Sequence, residues 1–142
     1  MSPDEDPIQP QTAAARVAGV VVKRSPRSVA ETVARLRATL EERGVKLFAV
    51  IDHSGEAHAA GLALRETKVV IFGSPKAGTP VMEAAPLAAL DLPLKILVWD
   101  DGGQTMLAYA PPGELAARYG LSDELAARLA AVEVLANAAI GD

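Results

Sequence analysis

The sequence predicts an α+β fold in which an antiparallel or mixed sheet carries helices on one face. Three observations predict it. A long, well-capped amphipathic helix comes after a short β-branched run near the start. A hairpin signature lies between two apolar strands after residue 94. A second long helical pattern closes the chain.

The elements run in order along the chain. "RVAGVVVKRS" (Arg16 to Ser25) is short and β-branched, which reads as a strand ended by Pro26. "SVAETVARLRATLEERG" places Ser28 and Glu31 at capping-box spacing. Val29, Val33, Leu36 and Leu40 form one apolar stripe, and Gly44 suits the position just past the helix end. "VKLFAVIDH" (Val45 to His53) is a second strand, and "GEAHAAGLAL" (Gly55 to Leu64) a short helix that Gly61 interrupts. "TKVVIFG" (Thr67 to Gly73) is apolar on both faces and so central. After it, Thr79 is placed as an N-cap with Pro80 at the first helical position, and Pro86 divides the stretch to Pro93 into one or two short turns. "LKILVWD" and "TMLAYA" are the fourth and fifth strands, joined across "DDGGQ". "PPGELAARYG" is a short helix closed by Gly120. Ser122 to Ile140 reads as one continuous helix with Leu125, Leu129, Val132 and Leu135 on its buried stripe.

Composition bounds the function. A chain of 142 residues fits one domain, and half of its residues are hydrophobic, which suits a packed core. The net charge of -4 argues against general nucleic-acid binding. There is no cysteine, so thiolate metal sites and thiol nucleophiles are excluded. The start "MSPDEDPIQP" is acidic and lacks a signal-peptide pattern, and no apolar run reaches membrane-span length. The expectation is a cytoplasmic protein with no membrane partner, a disordered tail over residues 1–15 and one domain over residues 16–142.

Four features draw attention as sites. "GSPKAGTP" (Gly73 to Pro80) comes close to a phosphate-binding loop, but Thr79 stands where that loop has its Lys, and Pro75 and Pro80 remove backbone donors. It reads as a strand-to-helix connection. Its remaining chemistry is a helix start at Thr79, helped by Lys76, able to take a carboxylate or one phosphate. "IDHSGEAH" holds both histidines, His53 and His58. Two histidines exclude a three-His site. A His/His/carboxylate set with Asp52, Glu56 or Asp91 stays open on spacing, as does acid–base work by His53, but no metal is assigned. The structural alternative is that Asp52 caps a helix. Arg65 suits a carboxylate ligand, or an internal pair with Asp52 or Asp91. Asp91 precedes Leu-Pro and braces or caps a turn. Lys95 points to a cleft or to solvent, and Trp99 reads as core. A Ser54 or Ser74, His53, Asp91 triad lacks any nucleophile-elbow motif.

"IDH" at Ile51, "GLALR" at Gly61, "IFGSPKAGTPVM" at Ile71 and "DLPLKILVW" at Asp91 occur in that order. Together they resemble the bacterial and archaeal domain-of-unknown-function family 302 (DUF302), from about Val20 to the final helix. The resemblance implies a β-α-β₄-α two-layer sandwich, mainly antiparallel and backed by helices, in the outline of the TATA-binding-protein-like class. It also implies small, homodimeric members. It implies no activity and no cofactor, and His58 falls outside the shared pattern. The leading expectation is a small-ligand or anion pocket formed by Asp52, His53, Arg65, Gly73, Lys76, Gly78, Thr79 and Asp91. The alternatives are a His53-dependent enzyme using Asp52 or Asp91, and a purely structural dimer module.

Overall fold

The computed structural model describes residues 17–141; the expected tail and Arg16 lie outside the described residues. The strands are β1 (Val21–Arg24), β2 (Lys46–Asp52), β3 (Thr67–Gly73), β4 (Leu94–Asp101) and β5 (Gln104–Tyr109). The helices are α1 (Val29–Glu42), α2 (His53–Ala59), α3 (Pro75–Ala84), α4 (Pro112–Tyr119), α5 (Asp123–Ala127) and α6 (Ala131–Ile140), with a 3₁₀ helix at Pro86–Asp91.

The sheet order is β1-β5-β4-β3-β2, and every pairing is antiparallel. Strands β2 to β5 form a meander in which each pairs with its successor. α1 carries the chain from β1 at one edge to β2 at the other. This is the expected β-α-β₄-α arrangement.

Local chemistry explains α1. Ser28 Oγ accepts from Glu31 N at 3.1 Å, and Glu31 Oε1 accepts from Ser28 N at 3.1 Å, closing the capping box. At the other end, Val45 N donates to Leu40 O at 2.9 Å and Gly44 N to Glu41 O at 3.2 Å. That pair of bonds needs a left-handed residue, and Gly44 has φ 68°. Val29, Val33, Leu36 and Leu40 are all buried as expected. α1 lies beside α6 on one face of the sheet, over Val70, Phe72, Leu94, Ile96, Val98 and Leu107. The last carbonyls of α6, which no helix can satisfy internally, accept from Arg27 and Arg35: Arg27 Nη1 to Ala139 O at 3.0 Å, Arg35 Nη2 to Ala138 O at 3.0 Å.

The β4–β5 turn uses Gly102 (φ 64°) and Gly103 (φ 96°), the two positive values that a tight two-residue hairpin requires. Asp100 Oδ1 accepts from Gly103 N at 2.8 Å.

Four boundaries differ from expectation. β1 starts at Val21. α2 begins at His53 and ends at Ala59, because Asp52 caps it and Gly61 turns at φ 81°. α3 begins at Pro75 after Ser74, so Pro75 takes the first-turn place expected for Pro80, and Pro80 lies inside the helix. The final helix divides: Arg128, Leu129 and Ala130 donate to Leu125, Ala126 and Ala127, tightening the chain by i→i+3 bonds. Trp99 is also not core. It stands half-buried with Val22, Val69 and Leu97 on the opposite sheet face, outside the main cluster.

Candidate functional site

Strand register decides which expected residues meet. Lys46 pairs with Gly73 and Asp52 with Lys68, while Phe72 pairs with Leu94 and Thr67 with Trp99. The seven residues of β3 run about 20 Å at about 3.3 Å each. Asp52, His53, His58 and Arg65 therefore lie at one end of the sheet. Gly73, Lys76, Gly78, Thr79 and Asp91 lie at the other. They do not form the single pocket expected of them, and His53 and Asp91 are not within reach of one another for acid–base work or a triad.

At the first end the chemistry is local. Asp52 Oδ1 accepts from Ser54 Oγ at 2.6 Å and from Gly55 N at 2.9 Å. These bonds, Ser54 first, hold the Asp52 carboxyl below the usual range. Ser54 Oγ in turn accepts from Thr67 N at 3.2 Å, tying the helix start to β3. Arg65 pairs with Asp101 at 3.3 Å, not with Asp52 or Asp91. The antiparallel pairing of β4 with β3 brings Asp101 beside the loop before β3, which the linear sequence does not display. His53 and His58 are exposed, and among the described residues no group of three or more His, Cys, Asp or Glu could hold a metal ion.

At the second end lies a cavity of about 240 Å³ between α3, the strand ends and the α5–α6 junction. Phe48, Phe72, Met82, Leu92 and Leu129 form its apolar walls. Ser74 and Thr79 supply hydroxyls, and Arg128 the cation. Lys76 is exposed and does not line it. Since Thr79 stands inside α3, the expected anion seat at a helix start does not form there.

Two details shape this cavity. The β2–β3 register shifts between Leu47 and Ala49. Such a bulge re-aims a side chain, and Phe48 faces the cavity with Lys46 Nζ 5.1 Å from its ring centroid. The glycines act by their size: neither Gly73 nor Gly78 has a positive φ. A Cβ on Gly78 would stand 3.8 Å from Met82 Cε and 4.0 Å from Leu92 Cδ1, and one on Gly73 would stand 3.5 Å from Pro93 Cβ. They leave room. Sequence reasoning found Gly73, Gly78 and Thr79 but missed Phe48, Met82, Leu92, Arg128 and Leu129. The unalternating Leu47-Phe48-Ala49 run was the one available signal.

Asp91 joins a polar cluster at this end. Its Oδ2 accepts from Arg118 Nη1 at 2.7 Å and from the Tyr119 hydroxyl. Arg118 Nη2 also donates to Glu114 Oε2 at 3.2 Å. The Tyr119 bond, followed by Arg118, lowers the Asp91 pKa against a raising contribution from partial burial. Asp91 thus braces the 3₁₀ helix against α4.

A family model described as "Domain of unknown function DUF302" matches residues 21–138. The crystal structure of an uncharacterized conserved protein DUF302 from Bacillus stearothermophilus is similar, with a TM-score of 0.73 at 18% identity, covering 87% of this chain and 97% of that one. The chain is also 40% identical over 111 residues to fluoride-specific ion channel FluC 1 of Brucella suis biovar 1 (strain 1330), covering 76% of this chain and 44% of the relative. The figures for fluoride-specific ion channel FluC 2 of Brucella melitensis biotype 1 are 40%, 76% and 41%. The chain therefore spans less than half the length of these curated relatives. Among its described residues no helix is long and apolar enough to cross a membrane.

Proposed function

For a chain that belongs to the DUF302 family, we propose a small-ligand-binding role centred on the cavity between α3 and the α5–α6 junction. The observation that carries it is an apolar recess at the strand ends kept open by two glycines, with only Ser74, Thr79 and Arg128 offering polar contact. Ligand sites typically combine apolar walls with a few orienting polar groups. The volume suits a small, mostly apolar molecule ending in a hydrogen-bond acceptor that meets the two hydroxyls and Arg128. The protein acts in the cytoplasm, and a second copy pairs with it.

Filling the cavity tests this reading. Gly78→Leu places its side chain in the recess, and exchanging a helical Gly gains roughly 0.5–1 kcal/mol of backbone stability. Native mass spectrometry of protein purified from its own host should show a retained small molecule on the unaltered chain. The Gly78→Leu protein should be at least as stable and carry none. An equal load on both proteins, or no load on either, would count against the cavity.

A second reading rests on the relatives whose names say fluoride channel. A channel must have membrane-spanning segments, and the portion that this chain matches is less than half of each relative. On this reading the domain works beside such a channel, as a joined unit in the relatives. Co-purification of the tagged chain with a fluoride channel from detergent-solubilised host membranes is the expected result. A channel-free eluate at low ionic strength overturns it.

A further inference from the structure

We propose that a second cavity, at the same end of the sheet, is a binding site for a small amphiphilic carboxylate. The cavity measures about 310 Å³ and opens where β4 begins and β5 ends. Leu94 is the one residue that lines both it and the cavity beside α3. The two sites are therefore distinct, and this one does not rest on the reading given for the other.

Its apolar part is Val69, Leu97 and Ala108 on the sheet face opposite α1 and α6, closed by Val20 and Leu115. Three charged side chains reach it from three elements: Asp91 from the 3₁₀ helix, Lys95 from β4 and Arg118 from α4. Two of them are already engaged. Asp91 accepts from both Tyr119 and Arg118, and Arg118 also donates to Glu114. Lys95 forms no hydrogen bond or ion pair among the described residues, and it is exposed at the cavity wall.

The charge pattern selects the ligand class. The charge of Lys95 helps to lower the pKa of Asp91, but Asp91 already accepts from Arg118 and Tyr119, so a carboxylate on Lys95 Nζ gains a charge-assisted hydrogen bond without breaking a hydrogen-bonded pair. An ammonium group would be repelled by Lys95 and would have to compete with Tyr119 and Arg118 for Asp91. A short alkyl or aryl body then removes the half-buried Val69 and Leu97 from water and packs on Ala108. The long Lys95 stem can lie along the same apolar surface while its head stays at the mouth.

Hexanoate, hexanol and hexylamine, titrated into the isotope-labelled full chain and followed by amide chemical shifts, separate the possibilities. Hexanoate should move the amides of Lys95, Leu97 and Ala108. Hexanol should bind roughly tenfold more weakly, the value of one charge-assisted bond. Lys95→Ala should erase that preference, and because Lys95 is exposed, the fold should persist; Lys95→Gln, which keeps the stem, should behave alike. No hexanoate binding, equal affinity for hexanol, tighter binding of hexylamine, or shifts confined to residues 73–82 would each overturn the proposal.

Discussion

Phe72→Ala should lower the stability of the domain by about 3–5 kcal/mol. Phe72 is 1% exposed, and its neighbours across the sheet are Leu47 and Leu94. It is the largest of the fully buried side chains and belongs to the cluster that α1 and α6 cover. Truncation removes its apolar area from the core and leaves a void. The surroundings cannot readily collapse into that void, because Phe72 also lines the cavity beside α3. Two empty spaces would merge. Single domains hold only about 5–15 kcal/mol in total, so the loss is a large share of what is present. Urea unfolding gives the number through the midpoint at unchanged slope. A loss below about 1 kcal/mol would mean that the walls do close in, and the view of this cavity as a rigid recess would fail.

Asp91→Ala should cost about 1–2 kcal/mol at neutral pH. The lower part of the usual range for a charged hydrogen bond applies, since Asp91 is 27% exposed and Arg118 48% exposed. The effect depends on pH with a definite sign. The folded-state pKa of Asp91 lies below its unfolded value, so the unfolded chain binds the proton first. The stabilising contribution is present above an unfolded carboxyl pKa of about 3.9 and drains away as pH falls through the lower folded value. Asp52 has the same sign, so wild type alone does not isolate Asp91. The informative quantity is the stability difference between wild type and Asp91→Asn from urea melts at pH 7 and at pH 3. It should shrink toward zero at the acid end. A difference that is constant with pH would mean that the Tyr119 and Arg118 contacts do not depend on the Asp91 charge.

The elements that were legible in the sequence are those written in local chemistry. Ser28 with Glu31, Gly44 at the end of α1, the alternating strands and Gly102-Gly103 each act within a few residues, so pattern and structure agree. The misplacements arose where two local signals competed or where distance decided. Pro75 and Pro80 both suit a first helical turn, and only packing selects Pro75. The Ala-rich final helix contains no breaker, yet burial of Leu129 and Val132 tightens it at Arg128. For the site, the polar residues do stand beside strand ends, but which end each occupies depends on strand direction. That is a property of the whole sheet, and it parted His53 and Arg65 from Asp91 and Thr79. The apolar lining of the cavity was invisible for another reason: Phe48, Met82, Leu92 and Leu129 look like any core residues until the fold leaves a gap between them.

The edge position of β1 bears on how the molecule is made. Among the described residues its one partner in the sheet is β5, with Val21 opposite Tyr109. Synthesis from the N-terminus releases β1 before the meander and its partner β5 only at the meander's end. The links within the meander β2 to β5, 14, 20 and 2 residues long, are all shorter than the stretch from Arg24 to Gln104 that must be spanned before β1 can pair, and longer closures are the slower kind. During that interval Val21 and Val22 are an unpaired apolar strand that another chain could template. Lys23 and Arg24 come directly after them, and charges on an edge strand oppose such pairing. Lys23 and Arg24 are thus placed to disfavour such pairing while the chain is being made, before Lys23 has Asn137 to donate to in the finished fold.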